Sequence, residues 1–499
     1  MKYSNWQVQK RTGMGDREIR SVYFLGIGGI GMSALARYFL QQDVRVAGYD
    51  RTPTPLTDQL IREGMAIHFR EDPSHIPEGV DLVIRTPAVP LPNTEYRHFE
   101  EQGIPILKRA EMLGRITVPF YTIAVAGTHG KTTTSTLIAH LFLAAGRPVL
   151  AFLGGISKNY GTNFLWAQGH KGTRAQRHKG TGAQTHKLTT SPPHHLTTCI
   201  VEADEYDRSF LHLSPDLAII TSIDPDHLDI YANQDQMRKS FGEFAERIRT
   251  GGHLILKKGV QIQAKVPEKV TAYSYALDEV ADFYPTRIVI RENKIRFDLG
   301  TPAGILKDLE LGIPGLFNLE NTVAALAAGW LSEIREEELR RGLKSFQGVV
   351  RRFDFRIRRD DLVYIDDYAH HPEELRACIR AVKELFPGRR ITGVFQPHLY
   401  SRTRDLAADF ARALAELDSL ILLDIYPARE KPIEGVSSEM LLEQINLSDK
   451  QICRKENLLE LLENHRPEVL LTLGAGDIDQ LVLPITERLG MTGRTIELP

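Results

Sequence analysis

Apolar runs that end in a glycine turn or an acidic cluster, each followed by an amphipathic stretch, recur along this sequence and constrain its fold more than any other feature. SVYFL runs into GIGGIG and then GMSALARYFLQQ, with VRVAGYD, LTDQLIREG and DLVIRT behind it. YTIAVAG (Tyr121 to Gly127) runs into a second turn and a helix expected from near Lys131, opening a larger unit that extends to about Phe346. Beyond Gly348, DLVYIDD, ITGVFQ, SLILLDIY and EVLLTLGAG alternate with helical stretches, one of them RDLAADFARALAEL. Such alternation specifies parallel sheets flanked by helices. The expected fold is α/β in three domains: Rossmann-like over 19–118, a central α/β domain around a P-loop-type turn over 119–347, and a second Rossmann-like domain over 348–499.

The 499 residues suffice for three cores. Sixty-two Lys plus Arg against 64 Asp plus Glu leave a net charge of -2, so no overall basic field points to nucleic acid or an anionic membrane as partner. The 3 Cys form no CxxC or Cys/His zinc spacing, which fits a reducing compartment and makes the cytoplasm the expected location. No apolar run occupies the first twenty residues, and the most apolar stretch, Leu137 to Leu153, is broken by Arg147 and Pro148, so neither secretion nor membrane spanning is expected. Residues 168–198 stand apart: they are rich in Gly, Thr, Gln and His and repeat an octamer, HKGTRAQR, HKGTGAQT and a decayed HKLTTSPP. That composition reads as a disordered surface insertion rather than a metal tract or basic arm.

Gly26-Ile27-Gly28-Gly29-Ile30-Gly31 is a GxGxxG between strand and helix, with Asp50 nineteen residues past Gly31 at the end of the next strand. Glycines let the backbone approach a diphosphate, and a helix N-terminus offers free N–H groups to it. Gly127-Thr128-His129-Gly130-Lys131-Thr132-Thr133 follows the second strand. It resembles a phosphate-binding loop in which the lysine neutralises transferring charge and the next hydroxyl holds magnesium. Val125 stands where a Walker A glycine would be required, so the loop is a shortened variant. Strand Cys199-Ile200-Val201 delivers Glu202-Ala203-Asp204-Glu205, and LAIITSI (Leu217 to Ile223) delivers Asp224-Pro225-Asp226-His227-Leu228-Asp229. Carboxylates and a histidine behind a phosphate loop are what magnesium and a polyphosphate require. In the last domain four strand ends carry polar groups, beginning Asp366, Gln396, Asp424 and Gly474, and in an open parallel sheet such ends share one crevice.

Taken in order, GIGGIGMS, AGTHGKTTT, EADEYDRSFLHL, IDPDHLDIY, FNLENTVAALAA, GVVRRFD, DDYAHHPEE, QPHLYSRTRDL and LGAGDI resemble the Mur ligases, the ATP-dependent amide-forming enzymes of peptidoglycan precursor synthesis. The resemblance covers nearly the whole chain. It implies ATP as co-substrate, Mg2+ as cofactor, and the joining of L-alanine to the lactyl carboxylate of UDP-N-acetylmuramate through an acyl phosphate, with no obligate protein partner. Gly26, Gly28, Gly29, Gly31 and Asp50 would bind the sugar nucleotide. Gly127, Thr128, His129, Gly130, Lys131, Thr132 and Thr133 would cradle ATP, with Asn318 and Asn321 near the adenine and Asp367 contributing to the nucleotide. Thr132 and Glu202 would hold one magnesium and His227 lie near a second. The third domain would close over the site. Lys131, Arg351 or Arg352, and His370 would serve catalysis, and His398, Tyr400 and Arg402 would lie near the amino acid; His227 and His370 are both candidates for the amine base.

Three positions depart from the family pattern: Phe317 where relatives usually carry His, Ala369 for Gly in DDYGHHP, and Leu399 for Arg in QPHRY. The tract stretches the interval from Lys131 to Glu202 to 71 residues and must loop out ahead of the strand ending in Glu202. A related recycling ligase that attaches a tripeptide shares the GTHGKTTT loop, but QPHxYxRT and GIGGIGMS favour the alanine enzyme. A nicotinamide oxidoreductase, argued from GxGxxG and Asp50 alone, leaves GTHGKTTT and the acidic strand ends unexplained; a nucleotide-gated binding protein whose basic tract recruits a partner would be marked by nucleotide binding with no amide product.

Overall fold

The computed structural model describes residues 19–91, 93–168, 197–224, 231, 233–291, 294–428 and 430–491. His227 and residues 169–196 of the repeat tract lie outside them. The described residues up to Ile313, together with Asn318–Gln347, form one compact unit; Pro314–Phe317 and the chain from Gly348 form a second.

The first unit carries a wholly parallel sheet of β1 (Ser21–Leu25), β2 (Arg45–Tyr49), β3 (Ala66–His68), β4 (Leu82–Arg85) and β5 (Ile106–Lys108), in the order β3-β2-β1-β4-β5. The chain leaves β1 to one side for β2 and returns on the other for β4, so the glycine turn after β1 sits at the switch point where ligands of such sheets bind. Helix α1 (Ile30–Leu40) follows this turn, and α2 (Arg109–Thr117) follows β5.

A second sheet holds β6 (Tyr121–Ala126), β7 (Val149–Ser157), β8 (Thr162–Ala167), β9 (Thr198–Glu202), β10 (Leu217–Ile220), β11 (His253–Lys257) and β12 (Thr271–Tyr275), in the order β12-β11-β10-β6-β9-β7-β8. Only β8 runs antiparallel. Ala167 at the end of β8 and Thr198 at the start of β9 both pair with Val149 of β7, one on each side. Helix α3 (Lys131–Ala144) begins KTTTST, a β-branched run with poor helix propensity. Burial holds it instead: every residue from Thr132 to Phe142 is buried, and the Thr136 hydroxyl bonds the Thr132 carbonyl at 2.7 Å.

The two sheets of this unit share one hydrophobic core. Helix α1 lies against the β7–β8 hairpin, where Tyr38 stacks on Trp166 at 5.5 Å between ring centres. Beside this stack Asn163, fully buried, donates from Nδ2 to Ser33 Oγ at 3.0 Å and to the Ile30 carbonyl, and accepts from Arg37 Nη1. Arg37 in turn pairs with Glu63 at 2.8 Å.

An antiparallel sheet of β13 (Tyr284–Arg291), β14 (Lys294–Thr301) and β15 (Gly304–Leu311) completes the unit, and the sequence reading did not foresee it. The second unit contains β16 (Asp354–Arg358), β17 (Val363–Asp367), β18 (Ile391–Phe395), β19 (Ser419–Leu422), β20 (Lys450–Ile452) and β21 (Val469–Leu473), in the order β16-β17-β21-β18-β19-β20, with only β16 antiparallel. Expected as one helix, RDLAADFARALAEL lies instead in two, Tyr400–Asp405 and Ala407–Leu414, because Leu406 leaves helical geometry at φ -113°, ψ 17°. The first of these buries Arg402 and Thr403, the second Ala407, Phe410, Ala411, Ala413 and Leu414.

Candidate active site

The turn after β1 is tied down by its own neighbours. Gly26 N and Ile27 N donate to the Tyr49 carbonyl at 2.8 and 3.1 Å, and Gly28 N donates to Asp50 Oδ2 at 2.7 Å. Gly26 adopts φ +87°, which favours glycine, and a Cβ on Gly28 would meet Asp50 Oδ2 at 2.8 Å. Asp50 therefore braces the turn itself. The N–H groups that head α1 lack intrahelical acceptors, as at any helix start.

The turn after β6 is built the same way. Gly127 at φ +134° passes so close to Thr221 that a Cβ would lie 2.0 Å from its hydroxyl, and Gly130, at φ +81°, caps α3 with Asn321 Oδ1 2.3 Å from where its Cβ would be. Thr128 N donates to the Ser222 carbonyl at 3.2 Å and His129 N to Ser222 Oγ at 2.9 Å, which fixes the turn ahead of α3. Lys131 Nζ donates to the carbonyls of Gly127 at 2.6 Å and Thr128 at 3.3 Å and pairs with Glu205 Oε1 at 2.9 Å. Burial alone would lower its pKa; the Glu205, Glu202 and Asp204 carboxylates outweigh that and leave it raised, so the amine stays charged. Thr132 and Thr133 are buried at the head of α3. Thr128 Oγ1 contacts Ser222 Oγ at 2.8 Å and Asp224 at 3.3 Å, and His129 Nε2 lies 3.6 Å from Asp224.

Glu202 ends β9 with its carboxylate against Gly154; a Cβ there would sit 2.0 Å from Oε2, so glycine at 154 makes room for the acid. Asp204 Oδ1 accepts from Tyr206 N at 3.0 Å, and Oδ2 pairs with Arg109 of α2 at 2.9 Å. The Glu205 carbonyl accepts the buried Tyr231 hydroxyl at 2.7 Å. Asp207 and Arg208, both at φ +52°, turn the chain sharply here, with Lys108 paired to Asp207 at 3.0 Å. The acidic motif thus faces two ways, toward the Lys131 loop and toward α2.

In the second unit Asp367 ends β17, buried, and accepts from Phe353 N at 2.6 Å and Ala369 N at 2.7 Å. Burial pushes its carboxyl up to about 7 against the pull of Arg352 and these two N–H groups. Arg351, at φ +62°, donates to Asp366 at 3.2 Å and to the Gly474 carbonyl at 2.6 Å, and Arg352 lies over the Tyr368 ring at 4.8 Å. His370 meets Tyr368 O at 3.0 Å, Glu374 at 3.2 Å and, edge-on at 6.0 Å, the His398 ring, which stacks on Tyr426. Tyr400 and Arg402 begin the next helix, whose first residue follows Leu399 at φ +71°. Phe317 packs edge-on against Phe353 at 5.4 Å, beside the core of this unit.

Residues 21–121 match the Mur ligase catalytic domain, 125–329 the Mur ligase middle domain, and 351–476 the Mur ligase glutamate ligase domain. The chain belongs to the Mur ligase family. It is 46% identical over 475 residues to the UDP-N-acetylmuramate--L-alanine ligase of Parabacteroides distasonis, covering 94% of this chain and 97% of that one. The enzyme of the same name from Porphyromonas gingivalis is 46% identical over 478 residues, with 94% and 99% covered. Among solved structures, a UDP-N-acetylmuramate-alanine ligase from Thermotoga maritima aligns with TM-score 0.77 at 24% identity, covering 95% of this chain and 99% of that one. A murein peptide ligase from Psychrobacter arcticus aligns with TM-score 0.68 at 18% identity, covering 96% and 100%.

Within this Mur ligase, Gly130, Lys131, Asn321, Glu205 and the end of β9 come together around one turn, and His370 and His398 meet in the second unit. The Gly127–Thr133 turn fits a polyphosphate, with a glycine N-cap that tolerates no side chain and a charged amine, while Thr132 and Glu202 are the hard oxygen donors a magnesium ion takes. Arg109 is the residue that sequence reasoning missed. Its guanidinium reaches both Asp204 and the turn after β1, and no local spacing announces a contact between residues 95 apart.

Proposed function

We propose that the chain joins L-alanine to the lactyl carboxylate of UDP-N-acetylmuramate, converting ATP to ADP and phosphate. The observation that carries the phosphoryl-transfer reading is Lys131, a largely buried and charged amine at a glycine-capped helix start, paired with Glu205 beyond the β9 end. The choice of acceptor and amine rests on relatives 46% identical over 94% of this chain that are UDP-N-acetylmuramate--L-alanine ligases.

In this reading the turn after β1 seats the sugar nucleotide, with Gly26, Gly28, Gly29 and Gly31 close to the diphosphate and Asp50 bracing the loop. The lactyl carboxylate attacks the γ-phosphoryl group; the P–O bond to ADP breaks and an acyl phosphate forms. Lys131 lowers the barrier by neutralising charge on the transferring group. Magnesium bound by Thr132 and Glu202 would supply further charge neutralisation on the phosphoryl oxygens. The neutral amine of L-alanine then attacks the acyl carbon; the tetrahedral intermediate collapses with cleavage of the C–O bond to phosphate, and the proton lost from nitrogen passes to a base, for which His227 and His370 are the candidates. We assign Asn318 and Asn321 to the adenine, Arg351, Arg352 and Asp367 to the nucleotide, and His370, His398, Tyr400 and Arg402 to the amino acid and acyl phosphate. No nucleophile on the enzyme is required, so positioning and charge carry the reaction. We assign the reaction to the cytoplasm, a reading supported by three cysteines that are all free and buried; no helix among the described residues is long and apolar enough to cross a membrane.

The test is ADP release with ATP and magnesium, supplying UDP-N-acetylmuramate and L-alanine together and then omitting each. Release that needs both, with UDP-N-acetylmuramoyl-L-alanine detected by mass spectrometry and lost in Lys131→Ala, supports the reading. Turnover with tripeptide but not with L-alanine transfers the chain to the recycling reaction.

A further inference from the structure

Four observations converge on Arg109. It is the first residue of α2 and follows directly from β5, so its backbone belongs to the sheet that carries the first glycine turn. Its guanidinium lies over that turn: a Cβ built on Gly31 would meet Arg109 Nη1 at 2.8 Å, Cδ at 3.1 Å and Cζ at 3.4 Å. The opposite nitrogen, Nη2, is tethered to Asp204 at 2.9 Å, and Asp204 belongs to the acidic motif whose next residue, Glu205, holds Lys131. Helix α2 itself is seated against the segment after that motif, since a Cβ on Gly114 would lie 2.4 Å from the His212 carbonyl, and Lys108 pairs with Asp207.

We propose that Arg109 binds the acidic acceptor, presenting Nη1 to the oxyanions seated at Gly31 while Asp204 fixes its other arm, and so registers the acceptor site against the Lys131 loop. The assignment rests on the proposed function and adds to it a residue and a coupling. The chemistry suits the role. A guanidinium donates in a planar fork, so one edge can be anchored by a carboxylate while the other addresses a phosphate or carboxylate oxygen. The anchor keeps the side chain, which is one-fifth exposed, from searching rotamers before it binds.

The experiment is calorimetric binding of UDP-N-acetylmuramate without ATP, together with steady-state KM values for both substrates, in the wild type, Arg109→Lys, Arg109→Ala and Asp204→Asn. Asp204→Asn keeps the oxygen that caps Tyr206 and removes the charge and the acceptor that Arg109 Nη2 uses. Loss of one charge-assisted contact is expected to weaken the acceptor by about tenfold or more in Arg109→Ala. Lysine should recover part of this, and Asp204→Asn should fall between, while the KM for ATP stays within about twofold in the two Arg109 variants. A purely structural role would move both KM values together, and that result overturns the assignment; so does unchanged acceptor binding in the alanine and lysine variants. Wild-type protein that fails to bind UDP-N-acetylmuramate overturns the functional reading and this assignment with it, whereas wild-type binding that survives Arg109→Ala overturns the assignment alone.

Discussion

Asn163→Ala should loosen the first unit at the point where α1 meets the β7–β8 hairpin. Asn163 is fully buried and makes three hydrogen bonds, to Ser33 Oγ at 3.0 Å, to the Ile30 carbonyl and from Arg37 Nη1. The Ile30 carbonyl keeps a second donor, Ser33 Oγ at 2.9 Å, so it is not stranded by the change. Arg37 is only 5% exposed, however, and its Nη1 would be left without the amide oxygen while Glu63 continues to hold Nε and Nη2. The lost bond to a charged donor costs about 1.5–3 kcal/mol and the lost neutral bond to Ser33 about 1 kcal/mol; with the Ile30 carbonyl still satisfied and left out of the sum, the destabilisation is about 3 kcal/mol. At about 1.4 kcal/mol per tenfold, the unfolding equilibrium should rise roughly a hundredfold. Urea unfolding followed by tryptophan fluorescence reads the right place, since Trp166 stacks on Tyr38 beside the network. A companion Asn163→Asp variant keeps the acceptor for Arg37 and loses the Nδ2 donor, so it should fall between wild type and alanine. A midpoint in Asn163→Ala corresponding to less than about 0.5 kcal/mol would refute the reasoning, because a surface substitution does as little.

Two further outcomes follow from other positions. The Asp367 carboxyl is raised to about 7 by burial, so between about pH 4 and pH 7 the folded chain binds more protons at this site than the unfolded chain; its contribution to stability is present at low pH and lost as pH rises to 7. Asp367→Asn should flatten the fall in urea midpoint between about pH 5 and pH 8, leaving the part due to Asp366, which burial also raises, and an unchanged slope would contradict the burial argument. Gly130→Ala places a Cβ 2.3 Å from Asn321 Oδ1 at a φ of +81°, so ATP should bind at least about tenfold more weakly, and calorimetry with a non-hydrolysable analogue that finds wild-type affinity would exclude Gly130 from the nucleotide site.

The central strands and the two glycine turns were legible because each is local. Apolar runs such as YTIAVA form buried parallel strands, and the glycines at 26, 127 and 130 are required by positive φ and by close approach. Short strands escaped: β3, β5 and β20 have three residues each, too few for a hydrophobic period to register, and their pairing partners fix them. The β13–β15 sheet escaped because its outward faces carry exposed apolar residues such as Val289 and Ile305, which blur the alternation. Within the candidate site, Lys131 and its turn could be read from spacing, but Glu205 as its partner could not be singled out from the four-residue acidic cluster. Arg109 was invisible for a related reason: KRAEML reads as an ordinary helix start, and its meaning comes from Asp204 and Gly31, which only the fold brings to it.

The pairing of Val149 with Ala167 on one side and Thr198 on the other fixes where the repeat tract enters and leaves the sheet. Two neighbouring strand spacings separate those points by about 10 Å, a gap that three or four residues of chain can bridge. The sheet register therefore asks nothing of the tract's length. Gain or loss of one octamer would leave Glu202 opposite Val125 beside the phosphate loop.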